Sequence, residues 1–278
     1  PEEAIGHAFL WFGIAIVLFP LYIALVATTH TFDVLIGSTP LWFGGEFLKN
    51  FTTVLTQGLK AAGGIPVWVM MANSLVMALG IAIGKIAISI TAAYAIVYFR
   101  FPGRELCFVL IFITLMMPVE VRIVPTFQVA ANLNFIDSYL GLVLPLIASA
   151  TATFLYRQMF MTIPAELLEA ARIDGAGPWR FFVDVVLPLS RTNTAALFVV
   201  LFIYGWNQYL WPLLVTNQES MYTIVMGIQR MVNIPDAVPE WNLIMAVALL
   251  AARRKTLEFR FKFKLCKCIN LFRNMNMI

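Results

Sequence analysis

The chain has 278 residues, 61% hydrophobic and only 12% charged, which excludes an ordinary soluble globular protein. Eight of the 19 basic residues follow Leu250 against one acid, Glu258, so residues 1–250 carry 11 basic and 14 acidic side chains, a net of −3 that excludes a nucleic-acid-binding reading. Cys107, Cys266 and Cys268 have the spacing of neither a zinc site nor a disulfide framework, and about 20 apolar residues per crossing leave room for five or six helices through a lipid bilayer.

Residues 8–27 are apolar, interrupted only by Gly13 and Pro20, and form the first predicted span. The acidic Pro1-Glu2-Glu3 start is unlike a signal peptide, so this span is expected to be retained. With no initiator methionine, the natural start is expected to be absent from this sequence. Residues 28–66 read as a polar external loop with Asp33, Glu46, Lys49 and Lys60, and a short helix near Phe47–Leu59. The second span, residues 67–99, exceeds one crossing, and tilt or projection absorbs the excess. Gly80 and Gly84 give it a small-xxx-small face for close helix packing. Gly80–Lys85 lacks the GxxxxGK[ST] spacing of a phosphate-binding loop. Lys85, costly inside a span, either lines a translocation path or meets a structural partner.

Arg100 and Arg104 flank a Phe101-Pro102-Gly103 turn and mark a cytoplasmic end. A third span is expected over residues 106–119, followed by Glu120 and Arg122 between Pro118 and Pro125, where both prolines break or kink the helix. Glu120 and Arg122 are either a packing ion-pair network or pathway residues. A polar return over residues 132–139 precedes a fourth span, 140–160, with the small-residue run 148–153 suited to tight contact. Arg157 marks its cytoplasmic end.

Residues 161–191 are the longest polar interruption. Pro164 suits the first position of a short helix and Glu166 its first turn. Leu167, Leu168 and Ala171 form an apolar stripe at helical spacing, with Glu166, Glu169 and Arg172 off it. Gly175 is a natural helix stop. A second short helix is expected to start at Pro178 and stop before Pro188. The segment therefore reads as two amphipathic helices at a membrane surface with a glycine elbow.

The fifth span is expected over residues 194–215, with Tyr204, Trp206, Tyr209 and Trp211 in an outer aromatic belt. Asn207 and Gln208 either bridge helices or line the path. After an external stretch, 217–240, a sixth span starts at Trp241 but is apolar only to Ala252, about 12 residues and too short to cross. A basic tail alternating Phe with Arg or Lys comes next; its abrupt change of composition reads as an aberrant end rather than a domain. Six cytoplasmic arginines against four external basic residues place the amino terminus inside.

Glu169-Ala170-Ala171, then Asp174-Gly175-Ala176, Phe181 or Phe182, and Pro188 resemble the cytoplasmic loop of binding-protein-dependent ABC importer permeases. Asp137–Leu142 and Trp206–Pro212 match the habits of the carbohydrate-type branch. Pro118–Arg122 and Ala148–Phe154 resemble permeases of sn-glycerol-3-phosphate importers. The likeness covers roughly residues 8–250.

The resemblance implies an all-α integral membrane protein of the type I importer fold, with five full transmembrane helices, an incomplete sixth, and cytoplasmic coupling helices. By residue number, 1–66 would hold the first span and external loop, 67–250 the permease core with the coupling loop 161–191, and 251–278 the aberrant tail. It implies a bacterial inner-membrane, multi-pass, non-enzymatic transport subunit with no cofactor, importing sn-glycerol-3-phosphate, a glycerophosphodiester or a sugar. Its partners would be a dimer of ATP-binding subunits, a second permease subunit and an external solute-binding protein. Glu169, Ala170, Ala171, Asp174, Gly175 and Ala176 would couple to the ATPase; Lys85, Glu120, Arg122, Asn207 and Gln208 are translocation-path candidates. The rival ion-coupled carrier wants intramembrane carboxylates, and the predicted span interiors hold none except Glu120 at a boundary. An intramembrane hydrolase lacks a base, since His7 and His30 lie at opposite ends of span one. An inactive truncated relative is the third alternative, raised by the tail.

Overall fold

The computed structural model describes residues 2–58, 63–117, 119–233 and 238–252, with no side-chain description for 2–4, 8, 115, 116, 119 and 120. Lys60, Pro118, the Glu120 side chain and the tail after Ala252 therefore lie outside the described residues. The described residues are helical with no strand, and they fall into two compact units: residues up to Asn73 with those from Glu219, and residues 74–218.

In the first unit, α1 (Glu2–Ala27) carries its apolar sequence largely exposed, with Phe9 at 74% and Trp11 at 70%. Such a surface is stable only against lipid or another protein. Two short helices come next, α2 (Phe32–Gly37) and α3 (Phe47–Thr56). Asn50 on α3 donates to the carbonyls of Thr28 and His30, both at 2.9 Å, and accepts from Asn242 Nδ2 at 3.2 Å. A buried amide thus fixes three chain segments at once. Asn242 belongs to α14 (Trp241–Ala252), the short apolar helix where the sixth span was expected. Asn73 donates to the carbonyls of Ser220 and Tyr222, at 2.7 and 3.1 Å, holding the entry to α13 (Ile224–Val232).

Helix α4 (Val67–Tyr98) starts in the first unit and supplies the spine of the second. The close packing expected at Gly80 and Gly84 is present: a Cβ at Gly80 would lie 2.9 Å from Val143, and one at Gly84 2.5 Å from Ile147. Ser89 donates to the Ser149 carbonyl at 3.3 Å, beside the buried Ala152 and Thr153 of the small-residue run.

The spans are less continuous than the periodicity suggests. The expected third span is α5 (Arg104–Met116), which ends at a Met117 C-cap, and α6 (Val119–Asn132) is a separate helix. Pro125 lies inside α6 rather than ending it. The fourth is α7 (Tyr139–Val143), extended by a 3-10 turn (Leu144–Leu146) and bent by 48° from α8 (Ala150–Met161). Ser138 and Ser149 cap these two helices with side-chain oxygens, so the bend is built from two helix starts. Three described helices are long and apolar enough to cross a membrane alone, and the bent pair makes a fourth.

The expected stop before Pro188 does not occur. Helix runs from Pro178 to Trp206 as α10 (Pro178–Phe181), a π turn (Phe182–Val186) and α11 (Leu187–Trp206). A proline in an α-helix clashes with the carbonyl four residues back. Here the Leu187 N–H reaches five residues back to Phe182, and that widened turn accommodates the ring. Beyond Trp206 the helix does end, at Asn207, and α12 (Leu210–Val215) restarts it.

Candidate functional site

The polar elbow begins at α9 (Ala165–Ile173), capped by Pro164, one residue inside the expected start. None of its residues is buried. Leu168 and Ala171 are half-buried, while Glu166, Glu169, Ala170, Arg172 and Asp174 are exposed. Ile173 is 87% exposed, a large apolar side chain presented to the outside. Gly175 takes the left-handed backbone expected of a helix stop, at φ +71°. Its N–H donates to Arg172 O at 3.1 Å, and the Ala176 N–H to Ala171 O at 2.8 Å. Together these bonds form a Schellman closure, which uses up two otherwise unpaired carbonyls at the helix end. Ala171, Gly175 and Ala176 are thereby one rigid turn, and Asp174 is its cap.

Aromatic side chains anchor the chain beyond the elbow. The Tyr94 hydroxyl donates to the Pro178 carbonyl at 2.6 Å, and its ring packs 4.7 Å from Phe182. One turn on, Tyr98 meets Phe181 edge-on at 5.3 Å and its hydroxyl donates to Phe160 O at 3.4 Å. Phe160, Phe181 and Phe182 are all buried. On α8, the Tyr156 hydroxyl donates to Thr194 Oγ1 of α11 at 3.0 Å. α4, α8 and the helical stretch that follows the elbow are therefore tied together on either side of α9 in the sequence. Sequence reasoning named Phe181 and Phe182 only as parts of a motif and missed Tyr94 and Tyr98. The signal was an aromatic pair at i,i+4 just before the Arg100 boundary.

Helix α11 has 20 residues and spans about 30 Å. Past its far end, the two sequences matched to the carbohydrate-type branch meet each other. Trp211 Nε1 donates to the Gly141 carbonyl at 3.0 Å. Asp137 Oδ1 accepts from the N–H groups of Asn217 and Gln218, at 2.6 and 2.9 Å. Gly141 is obligatory here, because any Cβ would collide with the Phe135 carbonyl.

The path candidates come from α4, α6 and the break between α11 and α12. Lys85 is buried on α4 with Nζ 3.8 Å above the centre of the Tyr204 ring, a structural partner of the kind one reading foresaw. Arg122 is exposed on α6. Asn207 and Gln208 occupy the break between α11 and α12; Asn207 is exposed, and the Gln208 amide donates to its neighbour Tyr204 O at 3.3 Å. No group of three or more metal-ligating side chains occurs among the described residues.

These helices, together with the chain's likeness to known proteins, define its class. Residues 85–252 match the family model of the binding-protein-dependent transport system inner membrane component, and the chain belongs to that family. It is the membrane-embedded permease of an ABC importer, a transport component that works with ATPase and solute-binding partners. Its relatives include the sn-glycerol-3-phosphate transport system permease protein UgpE of Salmonella choleraesuis, 56% identical over 247 residues, 88% of this chain and 87% of the relative. The protein of the same name from Rhizobium meliloti is 54% identical over 251 residues, 90% and 89% of the two chains. A solved bacterial ABC transporter involved in the import of the acidic polysaccharide alginate shares the fold, with a TM-score of 0.81 over 95% of each chain at 18% identity.

Proposed function

We propose that this chain is a permease subunit for sn-glycerol-3-phosphate or a related glycerophosphodiester or sugar, driven by ATP through α9. Identity of 56% to a permease named for that solute, spread over 88% of the chain, supports the solute class. The observation that carries the coupling role is the contrast between an exposed α9 and the buried aromatic cluster that holds the chain on either side of it. A helix held in one geometry yet uncovered is built to receive a partner and transmit its displacement.

In this reading the segment 161–191 faces the cytoplasm and seats in the ATP-binding subunit. Glu169 and Asp174 fix the seat by charge and capping, Ala170 and Ala171 permit close approach, and Gly175 with Ala176 makes the turn. The amino terminus is then cytoplasmic too. A second permease subunit completes the pathway, with a dimer of ATP-binding subunits inside and the solute-binding protein outside. The segment 1–66 supplies the first span and external loop, and 67–250 the permease core. Nucleotide biases a two-state shift between inward- and outward-open forms. Lys85, Glu120, Arg122, Asn207 and Gln208 are the groups proposed to meet solute, with cationic Lys85 and Arg122 suited to a phosphate ester.

The test is reconstitution of the chain with its ATPase, second permease and binding protein in proteoliposomes. Uptake of labelled sn-glycerol-3-phosphate should require ATP and the binding protein. Uptake driven by an ion gradient without ATP would overturn the proposal.

A further inference from the structure

A cleft of roughly 250 Å³ lies where α4 ends, between the start of α5 and the end of α8. Arg104, Arg157, Glu105, Val97, Phe108 and Met161 are among its lining residues. The Arg157 guanidinium sits 4.0 Å over the Phe108 ring and has no carboxylate within ion-pair distance among the described residues. Arg104 is 3.9 Å from Glu105, but the Glu105 side chain is 85% exposed. An ion pair in that setting contributes little, so the cleft keeps a positive field. Its other wall is apolar and continues along α5 into Leu106, Val109, Leu110 and Ile113, all exposed.

We infer that this cleft binds one anionic phospholipid, its phosphate between Arg104 and Arg157 and an acyl chain along the exposed face of α5. Three observations select that occupant. The basic pair lies next to the polar turn that ends the apolar run of α4, the depth of a headgroup phosphate. The apolar wall leads from the charges toward the hydrocarbon. Arg157 is positioned over Phe108 and keeps N–H donors for an anion. The inference rests on the membrane placement of α4, α5 and α8, and is independent of any role for α9.

Each basic side chain beside an anionic headgroup contributes about fivefold in affinity. The test is retention of phosphatidylglycerol by the purified full chain after washing in zwitterionic detergent, measured by mass spectrometry. Arg104→Gln with Arg157→Gln should lower retention roughly 25-fold. The Lys pair at the same positions should restore most of it, and Arg172→Gln, outside the cleft, should leave it unchanged. Equal retention in the Gln pair and the parent protein would overturn the inference. So would an equal loss of phosphatidylcholine, or displacement of the lipid by excess inorganic phosphate.

Discussion

The Tyr94 hydroxyl donates to the Pro178 carbonyl at 2.6 Å, joining the last turns of the longest span to the first residue of α10. Eighty-four positions separate the two in sequence, so the bond ties motion of the elbow directly to α4. Tyr94→Phe keeps the ring contact with Phe182 and removes only this bond, worth about 1 kcal/mol. The expected result is a small loss of thermal stability and a larger fall in solute-stimulated than in basal ATP hydrolysis. An equal fall in both rates would show that the bond serves stability alone.

Gly175 offers a cleaner separation of coupling from folding. Its φ is +71° and a Cβ there would meet no atom within 4 Å, so a side chain is strained but not crowded. Gly175→Val should cost about 1–2 kcal/mol of local strain, reopening the Schellman turn. Assembly with the ATPase should persist while solute-stimulated hydrolysis falls several-fold. Gly175→Asn, a residue that tolerates this backbone, should lose much less.

At Gly205 the limit is space. A Cβ there would lie 2.9 Å from the Ala78 Cα, where α11 crosses α4 backbone to backbone. Gly205→Ala should destabilise by about 1–3 kcal/mol through overpacking, read as a lower melting temperature in detergent. Gly13 on α1 meets nothing within 4 Å, so Gly13→Ala should be neutral or slightly stabilising.

Lys85 and Tyr204 can be tested as a pair. A desolvated ammonium on an aromatic face gains about 2 kcal/mol. Tyr204→Phe keeps the ring and should retain stability, whereas Tyr204→Leu leaves the ammonium stranded and should lower the melting temperature. Lys85→Met in the Tyr204→Leu background should recover part of that loss. If Lys85 also meets solute, Lys85→Met alone should abolish uptake without lowering the melting temperature.

Much of this architecture is legible in the residues alone, for particular reasons. The glycine stop at Gly175 and the packing face at Gly80 and Gly84 both come from local geometry. Pro188 misleads because proline chemistry predicts a stop, whereas a single widened turn lets the helix continue. The bends near residues 147–149 and 207–209 stay hidden because hydropathy counts apolar residues but is blind to the Ser149 cap and to the end of α11. The cluster of Tyr94, Tyr98, Phe160, Phe181 and Phe182 requires contacts such as Tyr94 with Phe182, which join residues far apart in sequence and which no local pattern encodes.

The most direct measurement uses one cysteine in place of Glu169, in a chain with Cys107, Cys266 and Cys268 replaced by serine. With the assembled importer in sealed membranes, an impermeant maleimide should label it only from the cytoplasmic face. A short cross-linker should join it to the ATP-binding subunit, with a yield that changes when nucleotide is added. Labelling from the outer face, or a cross-link that forms only within the permease, would contradict α9 as the coupling element.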